Sequence, residues 1–438
     1  MEYNTWLREK GLEYKDKELH FENINLRELS KEYNTPFYLV NEKLIRKRYK
    51  NLKSLLDAKY ENNDIHYAVK ANSNLAILKI LKSEGASVDC SSVGEVRSCL
   101  KAGIPSEKII YTGNMFTNED LEFAVKNDIL VNLDSISQLD RLNRIYEKLD
   151  KEKMPLSFRI NPEFGAGHHA HTITAGKDIK FGILDNQVVK AYKKAQQYGF
   201  SQFGTHIHIG SGILDPNDFK KAFNKYIDII LHLSDTLDIT FDFVDFGGGL
   251  GIPYHPREEP LNLDLYMENL LEPFNRLLES GDFGTPNLKI EPGRYIVGES
   301  SVLATQINTI KDNGYKKFLG VDAGFQTLIR PTMYDSYHHI IHCQQKDGET
   351  DIYDVAGPIC ESGDILGQER EISEPAEGDC LIILDVGAYG FTMASVYNSR
   401  PRPAELLIND GEVNVIREEE TYEDLFKHQK IPNHLREI

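Results

Sequence analysis

The sequence predicts an α/β protein: a (β/α)8 barrel with a second, mostly β domain after it. Three observations carry this. Between about residues 64 and 294, eight short strand-like runs alternate with amphipathic helical patterns. Those runs end, one after another, in polar residues. After about residue 300, strand-like segments continue without long helices between them.

The eight runs are Ile65–Val69, Ser87–Cys90, Ile109–Thr112, Leu130–Leu133, Leu156–Ile160, Gly204–Ile209, Phe243–Phe246 and Leu288–Ile290. Helix signals fill the gaps. Ser92-Val93-Gly94-Glu95 and Ser135-Ile136-Ser137-Gln138 read as capping boxes that start a helix straight after a strand. Between Pro216 and Leu233, Phe219, Phe223, Tyr226, Ile227, Ile230 and Leu231 recur at helical spacing, one buried stripe on a crossover helix. Eight strands in this length fit a closed barrel better than an open doubly wound sheet. The strand ends supply Lys70, Ser91, Asn114, Asp134, Asn161, His208 with Ser211, the glycines 247–249, and Glu291. Reactive groups of such barrels sit at those ends.

The barrel is expected over residues 36–295, and residues 1–35 and 296–438 form the β-rich domain. Its expected strands are Val302–Thr309, Lys317–Val321, Ile352–Val355, Cys380–Asp385 and Ala404–Ile408, with Leu19–Phe21 a further one.

Composition narrows the function. The 438 residues are enough for two large domains, and a net charge of −18 argues against binding nucleic acid or an anionic membrane. No apolar run is long enough to span a membrane, and no signal peptide is visible at the N-terminus. The five cysteines include no CxxC pair and no disulfide framework, which favours a reducing, cytoplasmic setting.

Chemistry concentrates in a few motifs. Lys70 closes the run Asp64–Asn72 near a strand end. A lysine desolvated there falls below its free pKa of about 10.4, and its neutral amine can form a Schiff base with an aldehyde. Gly247-Gly248-Gly249 after an apolar strand reads equally as a phosphate cradle or a tight turn. It lacks the spacing of a dinucleotide fingerprint. Glu291-Pro292-Gly293-Arg294 puts a carboxylate and a bidentate clamp after the last barrel strand; alone it reads more simply as a surface salt bridge at a turn.

His206 and His208 share one face of a strand beside Ser211. One of them can stack on a planar ring. The pair, with His168, His169 and His171, could instead ligate zinc, and a packed core histidine is the preferred reading of His206. Cys360, between Gly357 and Gly363 with acidic neighbours, suits a proton donor if exposed; burial is the usual fate of a cysteine. Arg330 and Tyr334 suit a substrate carboxylate, or a plain surface. Tyr389 lies between glycines.

Taken in order, Tyr67-Ala68-Val69-Lys70-Ala71-Asn72, His208-Ile209-Gly210-Ser211, Gly247-Gly248-Gly249, Glu291-Pro292-Gly293-Arg294, Cys360-Glu361-Ser362-Gly363-Asp364 and Gly387-Ala388-Tyr389 resemble the fold-type III pyridoxal-phosphate decarboxylases. Within these the chain is most similar to the branch acting on meso-2,6-diaminopimelate. The resemblance implies an alanine-racemase-like barrel, a C-terminal β domain, and a homodimer with shared active sites. It implies that Lys70 binds pyridoxal 5'-phosphate and His208 stacks on its ring. Ser211, Gly248, Gly249, Gly293, Arg294 and Tyr389 would hold the cofactor, and Glu291 its ring nitrogen. Arg294, Arg330, Tyr334, Glu361 and Tyr389 would bind substrate. Cys360, from the second subunit, would protonate the decarboxylated carbon. The implied reaction gives L-lysine and CO2, and no residue is assigned to a metal.

Two departures bear on the substrate. The loop around His168–His171 is richer in histidine than the family form, and Gly212 stands where glutamine is common. The rival readings are the same chemistry on another carboxylated amine or amino acid, as in polyamine or siderophore synthesis, and a non-catalytic pyridoxal-phosphate carrier. The carrier resembles only the N-terminal half. A zinc hydrolase would leave Lys70 and Glu291 without a task.

Overall fold

The structure is a computed structural model that describes residues 3–436 except 168, 170–173 and 282. The chain divides into two compact units. One comprises Lys43–Pro253 and Arg257–Gly298, the other Met1–Glu42, Tyr254–Pro256 and Glu299–Ile438.

The first unit is the barrel. Its strands are β1 (Asn63–Ala68), β2 (Ser87–Cys90), β3 (Ile109–Thr112), β4 (Leu130–Leu133), β5 (Leu156–Asn161), β6 (Phe203–Ile207), β7 (Phe243–Asp245) and β8 (Asn287–Ile290). Each pairs in parallel with the next, and β8 pairs with β1 through Ile290 and Ile65, so the sheet closes. A two-residue strand, Ile183–Leu184, adds to β5 and was not foreseen.

Tight packing sets the register. Gly204 on β6 faces Phe243 on β7 so closely that a Cβ would sit 2.1 Å from its ring. The helix Pro216–Leu237 caps its start with Asp215, begins on a proline and buries the expected aromatic stripe. Phe223 and Tyr226 meet Phe246 edge-on, at centroid distances of 4.9 and 5.6 Å. Those contacts pin the residue just before the glycine run.

Both expected caps form, each with a shifted return bond. Ser92 accepts from the Glu95 N–H, but Glu95 accepts from Ser91 rather than from Ser92. Ser135 accepts from the Gln138 N–H, while Gln138 accepts from Asp134. The return arm thus ties down the last residue of the strand end, which lines the barrel rim.

The second unit is a mixed sheet. Its order runs Ile365–Ser373, Thr350–Ala356, Lys317–Val321, Ser301–Asp312, Phe37–Asn41, Ala404–Asn409, Glu412–Arg417; Cys380–Ile383 also pairs Ser301–Asp312 and carries Ile340–His342. A three-stranded antiparallel meander spans residues 12–25. The expected boundary at residue 36 falls one strand early. Phe37–Asn41 is wholly buried and pairs with Ser301–Ala304 and Ala404–Ile408, so it belongs to this sheet. The barrel unit starts at Lys43. An apolar run gives no sign of which sheet it joins.

Candidate active site

Lys70 sits one turn beyond β1, in the short helical turn Val69–Ala71. The Tyr67 hydroxyl donates to the Asn72 carbonyl at 2.9 Å and fixes that turn. Lys70 Nζ donates to Asp89 Oδ2 at 2.7 Å; the lysine is about a third exposed and the aspartate buried. A charge-assisted bond of this length aims the amine across the barrel mouth.

Glu291 follows β8 and is buried. Its Oε2 lies 3.0 Å from His206 Nε2, and its Oε1 has no hydrogen-bond partner among the described residues. Burial and the charge of Asp89 lift its carboxyl to about 8, against the pull of Lys70 and Arg159. Arg159 on β5 donates to the carbonyls of Thr174 and His208, at 3.3 Å each, and lies over the Phe181 ring. Burial lowers its guanidinium to about 10.

His208 accepts at Nδ1 from the Gly248 N–H at 3.1 Å, so the ring is the neutral tautomer protonated on Nε2. Burial, with Arg159 and Lys70 nearby, keeps its pKa well below the ordinary value. The glycine run is required by close approach. A Cβ on Gly247 would lie 2.1 Å from the Ile207 carbonyl, and one on Gly248 2.1 Å from the Glu291 carbonyl. The Gly247 N–H is taken by Asp245, so these first two amides serve the protein itself. Arg294 is buried and donates to Ser211 Oγ at 3.1 Å. Gly293 passes within 3.0 Å of the Ala68 and Ala71 methyls, counted from the Cβ it lacks.

Lys70, Asp89, Arg159, His206, His208 and Glu291 line one cavity of about 370 Å³. Ser91 and Asn114 also line it. Asn161 instead bonds to the backbone of Glu163, Gly176 and Phe181 and fixes the loop there. Of the histidine-rich loop, His168 and His171 lie outside the described residues. Asp89, Arg159 and Asp245 escaped the sequence reading. Each is a charged residue within an otherwise apolar strand run, which is the signal that was there to find.

In the second unit, Cys360 and Glu361 are exposed. Asn398 Nδ2 donates to Cys360 Sγ at 3.2 Å, and the Tyr397 hydroxyl to Glu361 Oε1 at 2.6 Å. Asp364 accepts from the N–H groups of Phe325 and Ile359 and so braces this loop. Arg330 is buried; it donates to Ser336 and His338, with Tyr254 and Tyr334 flanking its guanidinium. Tyr389 takes a left-handed backbone (φ 59°) four residues after Asp385, which does the same (φ 62°).

A lysine at one side of an open cavity, a buried acid with an unused oxygen, and an arginine-serine pair beside a glycine turn suit a planar ring carrying a nitrogen and an anionic tail. Such a set fits the cofactor of a pyridoxal-phosphate enzyme. Residues 42–298 match the family described as pyridoxal-dependent decarboxylase, pyridoxal binding domain. The chain is 46% identical over 409 residues to the diaminopimelate decarboxylase of Methanothermobacter thermautotrophicus, covering 93% of this chain and 94% of that one. The solved diaminopimelate decarboxylase of Methanocaldococcus jannaschii with L-lysine superposes with a TM-score of 0.91 at 34% identity, over 98% of this chain and 100% of that one. That of Helicobacter pylori, complexed with L-lysine, gives 0.85 at 36%, over 92% and 98%. The chain belongs to the diaminopimelate decarboxylase family of pyridoxal-dependent decarboxylases. Its cofactor is pyridoxal phosphate.

Proposed function

We propose that this chain removes one carboxyl group of meso-2,6-diaminopimelate as CO2 and leaves L-lysine, the closing step of lysine biosynthesis. The observation that carries it is the sustained identity to diaminopimelate decarboxylases over 93% of the chain. The shared cavity of Lys70 and Glu291 supports the cofactor's place in it.

Lys70 Nζ would hold the cofactor covalently through its aldehyde. His208 would stack on the ring, and Glu291, whose Oε1 has no partner among the described residues, would pair with the ring nitrogen. Ser211, Gly249, Gly293, Arg294 and Tyr389 would hold the phosphate end, while Gly248, whose N–H is taken by His208, would serve by letting the backbone pass close to the Glu291 carbonyl. When bound, the cofactor supplies an electron sink for the pair left behind as CO2 departs. A carboxylate beside the ring nitrogen keeps that nitrogen cationic. Arg294, Arg330, Tyr334 and Tyr389 bind the far carboxylate, and Glu361 its neighbouring ammonium. Fixing the far end decides which bond stands ready to break. Cys360 Sγ, contributed by a second copy of the chain in a homodimer, gives a proton to the carbon that lost CO2. No helix among the described residues is long and apolar enough to cross a membrane.

The deciding experiment is a CO2-release assay of the purified protein over a panel of amino acids. Release from meso-2,6-diaminopimelate with stoichiometric lysine is expected. Preference for ornithine or arginine would move the chain to a polyamine branch.

A further inference from the structure

Beneath the ring-nitrogen acid, the barrel interior carries two titratable side chains without a role in the reading above. His206 on β6 and Asp245 on β7 are both fully buried. One ligating atom from each of His206, Asp245 and Glu291 lies within 4.8 Å of the others. An imidazole and two carboxylates brought out of water together carry a large cost unless they organise something.

The hydrogen bonds give the division of labour. His206 Nδ1 has no partner among the described residues. A bare buried acceptor is better tolerated than an orphaned buried N–H. The proton therefore sits on Nε2, and His206 donates to Glu291 Oε2. That bond occupies one oxygen and leaves Oε1 for the ring nitrogen. Asp245 lies beside the Glu291 carboxyl and also acts through the backbone. Its Oδ1 accepts from the Gly247 N–H at 2.9 Å, and the Gly247 carbonyl accepts from the Glu291 N–H at 2.8 Å. The acid and the glycine turn are thereby one hydrogen-bonded unit.

We propose that His206 and Asp245 are positioning residues: His206 orients the Glu291 carboxyl toward the ring nitrogen, and Asp245 locks that carboxyl's strand end to the glycine turn. The proposal rests on Glu291 being the partner of the ring nitrogen. The local electrostatics agree with it. Burial pulls His206 down to about 4, despite the opposing charge of Asp245, so it is a neutral donor at neutral pH. Burial and the Glu291 charge push Asp245 well above the carboxylate range. The other charged or titratable groups acting on this cluster are Lys70, Asp89, Arg159, His66, His208, Lys289, Tyr226 and Tyr266.

The test uses purified holoenzyme and apoprotein titrated with pyridoxal phosphate. His206→Phe removes the donor and keeps a ring. It should lower kcat about 10- to 100-fold, leave KM within about twofold, and displace the pH midpoint of the visible cofactor band. His206→Gln, which keeps an N–H, should recover most of the loss. Asp245→Ala should weaken cofactor binding about 10-fold by orphaning the Gly247 N–H, and Asp245→Asn should restore it. An unchanged kcat and unchanged pH midpoint in His206→Phe would overturn the proposal. So would a loss confined to KM. If His206→Phe melts without cooperativity, the Asp245→Ala and Asp245→Asn pair decides: equal cofactor affinity for the two overturns it. A wild-type protein that forms no visible band with pyridoxal phosphate would instead refute the assignment of Lys70 and Glu291.

Discussion

The barrel rim and the Cys360 loop carry proposed roles in one reaction, yet they are built on opposite principles. In the barrel, Asp89, Arg159, His206, Asp245 and Glu291 are buried and mutually hydrogen-bonded or charge-coupled, and burial moves Arg159, His206, Asp245 and Glu291 far from their ordinary pKa values. In the loop, Cys360 and Glu361 are exposed, and each has one polar side chain for company. Rigid burial suits groups that hold a cofactor through every turnover, because their geometry must not be rebuilt each time. Exposure suits groups that meet the substrate only after it arrives. An exposed thiol and carboxylate act strongly only once water is shut out, because charge interactions weaken in high dielectric.

Breaking the barrel side should have the largest effect. Lys70→Ala should abolish the visible absorption of the lysine-bound cofactor and lower kcat by more than about 10³-fold. Absorption spectra and CO2 release check this; an unchanged spectrum would remove the whole assignment. Breaking the loop side should act differently. Cys360→Ala should bind cofactor normally and turn over about 10²- to 10⁴-fold more slowly, the range for a lost general acid. If that variant instead failed to bind cofactor, Cys360 would be structural.

The smallest expected effect sharpens the contrast through pH. Folding raises Glu291 from 4.5 to about 8, so the folded apoprotein holds a proton that the unfolded chain releases above 4.5. The folded state binds more protons in that window, and stability from this group falls as pH rises from 4.5 through 8. Glu291→Gln should flatten the decline of apoprotein Tm between pH 5 and 8 relative to wild type, by a few degrees at the upper end, on the order of 3–4 kcal/mol. Thermal melts across that range read it directly. A Tm profile identical to wild type would mean that Glu291 is not strained by burial.

Much of the barrel was legible because its strands alternate with helices and end in polar residues. Ser87–Cys90, Ile109–Thr112 and Leu130–Leu133 fall at the expected bounds. The capping serines were legible too, since a cap is a local bond. What escaped has one cause: it depends on partners distant in sequence. Phe37–Asn41 is an apolar run whose sheet is chosen by segments near residues 301 and 404. Asp89, Arg159 and Asp245 sit in strands that read as apolar, and only closure of the barrel brings them beside Lys70, His206 and Glu291. Lys70 was recognised, but the turn that carries it past the strand end was not.

The placement of Phe37–Asn41 also bears on biogenesis. As the polypeptide leaves the ribosome, this segment emerges before any strand that will flank it. The barrel residues are made next, and both neighbours come afterwards, the second within the last few dozen residues. Until then a largely apolar strand has both edges open, a state prone to mispairing with other chains. Truncations that remove Ala404–Asn409 should therefore yield aggregates rather than a trimmed enzyme.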